Sequence, residues 1–224
     1  YLLDGNGNKI REIKLPTVGS VGFSSSHKHN EVFYSFSSYT FPGTIYSYDL
    51  EKDESAMIFT PKVDFNPEDY VTEQISYPSK DCTMVNMFIT YKKGLERNGK
   101  NPVFLYGYGG FNISLNPGFS AMRIPFIANG GIYVVANLRG GGEFGEEWHK
   151  AGTKMQKQNV FDDFIAAAEY LVKEGYTSPE HIAINGGSYG GLLVGAVVNQ
   201  RPDLFRVAVP QVGVMDMLRY HTFT

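Results

Sequence analysis

Ser188 stands in Gly186-Gly187-Ser188-Tyr189-Gly190, a Gly-x-Ser-x-Gly pentapeptide. The chemistry such a serine serves is acyl transfer, in which the hydroxyl attacks a carbonyl carbon. The pentapeptide alone is a weak signal, but its flanks strengthen it. The apolar run Ile182–Ile184 precedes it directly, and the alanine- and leucine-rich segment Leu192–Val198 follows. Strand, sharp turn and helix in that order make a nucleophile elbow, which needs glycine two before and two after the serine to avoid collisions. A helix starting there also aims its positive end at a developing oxyanion. The competing reading is a glycine-rich strand-to-helix turn that happens to hold a serine.

An acyl-transfer serine needs two donors for the oxyanion. The backbone N–H of Tyr189, the residue after the nucleophile, supplies one. The second belongs on the loop after an earlier strand, where Leu105-Tyr106-Gly107-Tyr108-Gly109-Gly110-Phe111 follows the apolar run Val103–Leu105. That loop offers either a backbone N–H or the Tyr108 hydroxyl. With 15 tyrosines in the chain, a packing role for Tyr108 stands equally open.

A triad also needs an acid and then a histidine, both later than this kind of serine in chain order. After Ser188 the chain offers Asp203, Asp216 and His221. Asp203 is too near the nucleophile to sit on a later strand, and Asp216 and His221 lie too close together to come from separate loops. The general base and its orienting acid are therefore expected beyond residue 224, and the natural N-terminus before Tyr1, since the chain opens without methionine. No cofactor is expected. Gly107-x-Gly109-x-x-Asn112 lacks the third glycine of a dinucleotide fingerprint, and Arg139-Gly-Gly-Gly-Glu143 lacks a Gly-Lys-Ser/Thr ending. No metal site is expected either: His27 and His29 read as solvated turn residues, and the single cysteine, Cys82, rules out a cysteine-rich zinc site or an internal disulfide.

Around these residues the chain has the length for one sizeable domain or one domain plus part of another: 224 residues, 42% hydrophobic. A net charge of −3 argues against nucleic-acid and polybasic membrane binding. No apolar run approaches the 18 residues of a membrane span. The first sixty residues predict short strands over 31–38, 44–50 and 56–59, a meander or one propeller blade with a crossover linker after it. A lone blade cannot bury its faces, so this segment is expected to belong to something larger.

Past residue 70 the rhythm changes. A strand pair is predicted at 71–77 and 84–91, further strands at 102–106, 131–136, 181–185 and from 207, and helices at 159–174 and up to about 200. Phe161, Phe164, Ile165, Ala168, Leu171 and Val172 give the first helix its apolar face. Strands alternating with helices predict an α/β layer fold with a parallel sheet covered on both faces.

The chain resembles the prolyl oligopeptidase family of serine peptidases. The resemblance rests on Tyr106-Gly-Tyr-Gly-Gly-Phe-Asn112, Ala136-Asn-Leu-Arg-Gly-Gly-Gly-Glu-Phe-Gly145, Trp148-His149-Lys150 and Phe161-Asp-Asp-Phe164. It continues through Glu174-Gly-Tyr-Thr-Ser-Pro179, Asn199-Gln-Arg-Pro-Asp-Leu-Phe205 and Gln211-Val-Gly-Val-Met-Asp-Met-Leu218. It implies the front half of an α/β-hydrolase fold preceded by β-propeller strands, with residues 1–62 closing a propeller and 63–224 opening the catalytic domain. It implies Ser188 as nucleophile, Tyr108 and Tyr189 as oxyanion donors, and Phe111 as the wall of the pocket for the substrate proline. The implied activity is hydrolysis of short proline-containing peptides on the carboxyl side of proline, by a full-length monomer without cofactor. The implied compartment is the cytoplasm, with the periplasm as the alternative. The family's proline-stacking tryptophan, its carbonyl-holding arginine and its catalytic Asp and His are expected past Thr224, so the isolated chain is expected to be inactive. One departure stands out: the family usually carries asparagine where this chain has Tyr189, and dipeptidyl peptidase relatives carry tyrosine. A dipeptidyl peptidase or oligopeptidase B-like activity, or an inactive fragment, are the alternatives.

Overall fold

Hairpin pairing accounts for every strand of the first sixty residues. The computed structural model describes residues 1–26 and 28–222; His27 lies outside the described residues. The chain forms two units, one of residues 1–65 with 117–119, the other of 66–116 with 120–224.

In the first unit β1 (Leu2–Leu3) pairs with β2 (Lys9–Arg11), and an antiparallel meander runs β3 (Ser20–Ser25), β4 (Glu31–Ser37), β5 (Thr44–Asp49), β6 (Glu54–Phe59) in that order. The alternation in 31–38 turns Tyr34 and Phe36 inward against Tyr48. Tyr34 stacks on Tyr46 with ring centroids 5.0 Å apart. The outer strand β6 is exposed along its whole length. Strand β3 carries no inward apolar series, which is why the pattern missed it.

The second unit is built on a six-stranded sheet. Its strands are β7 (Tyr70–Pro78), β8 (Met84–Lys92), β9 (Val103–Tyr106), β10 (Ile132–Asn137), β11 (Ile182–Gly187) and β12 (Val207–Gln211). Between them run α1 (Ile124–Ala128), α2 (Glu146–Lys150), α3 (Gln158–Lys173) and α4 (Tyr189–Gln200). The sheet order is β12-β11-β9-β10-β8-β7. The expectation of a parallel sheet needs correction, because the sheet is mixed: β7–β8 and β8–β10 are antiparallel, and only β10-β9-β11-β12 run parallel. The cause is local. A tight turn with Ser79 N–H donating to the Thr83 carbonyl folds β8 straight back on β7, before any crossover helix intervenes.

Leu105, Val134 and Ile184 stand side by side on the central strands and are fully buried. Phe164, Ala167, Ala168 and Leu171 of α3 and Leu193, Val194 and Val197 of α4 belong to the same core. Successive parallel strands leave β9 in opposite directions, to β10 on one side and β11 on the other. The carboxyl end of β9 is therefore the topological switch point, where open α/β sheets place their ligands.

Candidate active site

Ser188 sits at the corner between β11 and α4 with φ 54° and ψ −112°, a conformation that costs a non-glycine residue about 1–3 kcal/mol. Its N–H donates to the Gln211 carbonyl at 2.9 Å, and its own carbonyl accepts from the N–H groups of Gly191 and Leu192. These bonds fix the corner between the neighbouring strand and the first turn of the helix. Close approach explains the glycine two positions before: a Cβ at Gly186 would overlap the Gly190 carbonyl oxygen. The serine itself is exposed. Tyr189 opens the helix, so its N–H falls in the first turn, where backbone donors have no intrahelical acceptor.

The loop after β9 comes alongside. Gly107 N–H continues the pairing to the Asn185 carbonyl at 3.2 Å. The Tyr108 ring lies 6.2 Å from that of Tyr189, tilted by 57°. Phe111 is 70% exposed and meets Tyr189 edge-on at 5.1 Å. The Tyr189 ring occupies the space above Gly110, where a Cβ would run into it. The structure thus gathers Ser188, Tyr108, Tyr189 and Phe111 at one end of the sheet. A cleft of about 350 Å³ opens there, lined by Phe111, His149, Thr153 and Tyr189. Burial, followed by the nearby Tyr108, raises the pKa of the Tyr189 hydroxyl. A larger cleft of about 520 Å³ includes Lys80, Asp162, Glu169 and Arg201, but these four pair off as Lys80–Asp162 and Glu169–Arg201 and offer no activated group.

Asp203 is held by Arg201, whose hydrogen bond lowers the carboxyl pKa. Asp216 accepts from Arg219 Nε at 2.7 Å. His221 lies in an exposed turn with Tyr220. Among the described residues no group of three His, Cys, Asp or Glu gathers to hold a metal ion, and no helix is long and apolar enough to cross a membrane.

Two further groups stand at the site, neither with a catalytic role assigned from the sequence. His149 has Nδ1 2.7 Å from the Gly140 carbonyl and turns toward the cleft. Lys157 donates from Nζ to the Gly109 carbonyl at 3.0 Å and stands 3.7 Å from the centroid of the Tyr189 ring. A lone lysine in a polar stretch carries no signature of such contacts.

Behind the site, Arg139 is buried and paired with Asp163, which accepts from Nη2 at 2.6 Å and from the Arg139 backbone N–H at 3.1 Å. The guanidinium also reaches Asp81, at 2.6 Å. The next residue, Gly140, takes the Asn112 N–H at 3.2 Å, so the ion pair anchors the segment that holds the loop of Phe111.

Comparison with known proteins points one way. A family model described as the prolyl oligopeptidase family matches residues 117–224, and one for the prolyl oligopeptidase N-terminal beta-propeller domain matches 2–60. A prolyl endopeptidase of Elizabethkingia meningoseptica is 56% identical over 222 residues, covering 99% of this chain and 32% of the relative. One from Dictyostelium discoideum is 49% identical, with 99% and 30% covered. Among solved structures, prolyl oligopeptidase B from Galerina marginata superposes with a TM-score of 0.91 at 41% identity, over 100% of this chain and 33% of that one. The post-proline cleaving enzyme from Rickettsia typhi gives 0.83 at 40%, over 92% and 30%. The chain spans about a third of the length of these relatives.

Proposed function

The chain belongs to the prolyl oligopeptidase family, and on that premise we propose that it carries the nucleophile and oxyanion donors of a serine endopeptidase that cleaves short peptides after proline. Its fold is the front of an α/β-hydrolase sheet preceded by β-propeller strands. We take the first unit as the closing part of that propeller and the second as the opening half of the catalytic domain.

One observation supports this reading above the others: an exposed serine is held at positive φ where a parallel strand turns into a helix, and the next residue, Tyr189, faces Tyr108. In the proposed reaction Ser188 Oγ attacks the scissile carbonyl and its proton passes to a histidine. That base, with its acid, would come from the part of the relatives' length that these residues do not span. The Tyr189 N–H and the Tyr108 hydroxyl take the oxyanion of the tetrahedral intermediate. Collapse expels the amine, which leaves with the proton, and water then hydrolyses the acyl-enzyme. Phe111, exposed and edge-on to Tyr189, offers a flat apolar wall to the proline ring. The names of the relatives support the post-proline preference.

The test uses the intact protein. A fluorophosphonate should label Ser188, and Ser188→Ala should abolish turnover of a proline-containing chromogenic peptide; retained turnover sinks the assignment. Tyr108→Phe should slow the reaction about tenfold to a thousandfold without lowering the melting temperature. The 224 residues alone should not react with the phosphonate. Tyr189 gives a reason to assay dipeptide release and cleavage after arginine in parallel, since dominance of either would replace the post-proline reading. We also place the intact protein as a monomer in the cytoplasm, with the periplasm as the alternative, which gel filtration and fractionation decide.

A further inference from the structure

Lys157 occupies an unfavourable place. It is the residue before the first turn of the sixteen-residue helix α3, where the positive end of the helix dipole repels a cation. It is half-buried, and no carboxylate is paired with it among the described residues. Burial alone pushes its ammonium down to about 7. Such a position calls for compensation; besides the Phe161 ring one turn along the same helix, 5.5 Å from Nζ, two contacts to other elements supply it.

The first is the hydrogen bond from Nζ to the Gly109 carbonyl. Gly109 follows Tyr108 directly and precedes Gly110, on which the Tyr189 ring rests. The second is the Tyr189 ring itself, whose centroid lies 3.7 Å from Nζ, well inside the range of a cation–π contact. A single ammonium therefore ties the loop of one oxyanion donor to the residue that supplies the other. The strand ends alone do not do this, because Tyr108 and Ser188 lie beyond the paired residues of β9 and β11.

We propose that Lys157 is a positioning residue that sets the spacing of the two oxyanion donors, by bonding the Gly109 carbonyl and facing the Tyr189 ring. This role presupposes Tyr108 and the Tyr189 N–H as the donors proposed above. A displacement on the order of 1 Å in such a pair costs about a hundredfold in rate, while leaving the rest of substrate binding in place.

In the intact protein, Lys157→Met should lower kcat about tenfold to a hundredfold with KM within about twofold. A peptide aldehyde, whose hemiacetal oxygen mimics the intermediate, should bind more weakly by the same factor as kcat/KM falls. Lys157→Arg keeps a cation for both contacts and should recover most of the rate. Should the methionine variant fail to fold, Lys157→Gln carries the same test, because its shorter neutral side chain loses the ring contact. Wild-type kcat in the methionine or glutamine variant overturns the proposal, as does an arginine variant as slow as the one it is meant to rescue. Phosphonate labelling of wild-type Ser188 reports separately on the nucleophile. The ratio of labelling rates between wild type and Lys157→Met reads the positioning effect whatever the peptide preference.

Discussion

Asp163 Oδ1 lies 2.6 Å from Arg139 Nη2, with the aspartate side chain fully buried and the arginine side chain 5% exposed. The carboxylate also accepts from the Arg139 backbone N–H and from Ser79 Oγ, so the pair sits in a saturated polar cage inside an apolar layer. Removing Asp163 leaves the buried guanidinium with only the half-exposed Asp81 carboxylate as counter-ion. Asp163→Asn should therefore cost about 3–5 kcal/mol, read as a shift of the urea unfolding midpoint. A loss below about 1 kcal/mol would show that the cage is dispensable. The pH dependence follows from Asp81, whose carboxyl is pulled down to about 2, chiefly by its hydrogen bond with Arg139. Its contribution is complete above pH 4 and is lost as pH falls through 2.

Strain at Ser188 gives a second outcome. Alanine keeps the Cβ that disfavours φ 54°, whereas glycine removes it. Ser188→Gly should be more stable than Ser188→Ala by about 1 kcal/mol, both being inactive. Calorimetry on the two variants checks this, and an alanine variant as stable as the glycine one would mean the corner is relaxed.

Gly110 and Tyr189 compete for one space. Gly110→Ala should destabilise by about 1–3 kcal/mol and slow turnover, because the new methyl meets the Tyr189 ring. Adding Tyr189→Asn should return much of the loss. A double-mutant cycle that shows no coupling would place the ring elsewhere.

Lys157 should leave a signature in stability as well as in rate. An unfolded lysine titrates near 10.4, and this one near 7 when folded. Between those values the unfolded chain binds more protons, so the burden of burying the charge is complete below pH 7 and lifts as pH rises. Wild type should therefore gain melting temperature relative to Lys157→Met between pH 6.5 and 9.5. A constant difference across that range would mean the ammonium keeps its ordinary affinity for protons.

Much of this was legible in the residues because local rules govern it. Alternation in 31–38, the apolar run at Val103 and the three- and four-step spacing in α3 each follow from one element's own period. The corner at Ser188 was legible because a strand, a glycine pair and a helix lie contiguous in the chain. What escaped depends on partners far apart in sequence. Asp163 reads as an exposed polar position of α3 until Arg139, from the loop after β10, arrives to neutralise it. The two five-residue helices α1 and α2 are too short to show a period. The antiparallel start of the sheet hung on one tight turn rather than on composition. Lys157 gains its meaning only once two glycine-rich loops converge on it.

The bond from Ser188 N–H to the Gln211 carbonyl has a consequence in time. A ribosome releases the corner before it releases the strand that braces it. Until β12 docks, the corner at residue 188 is held only from its helix side, through the carbonyl bonds to Gly191 and Leu192. Docking of β12 is thus the step that completes the bracing of the serine corner.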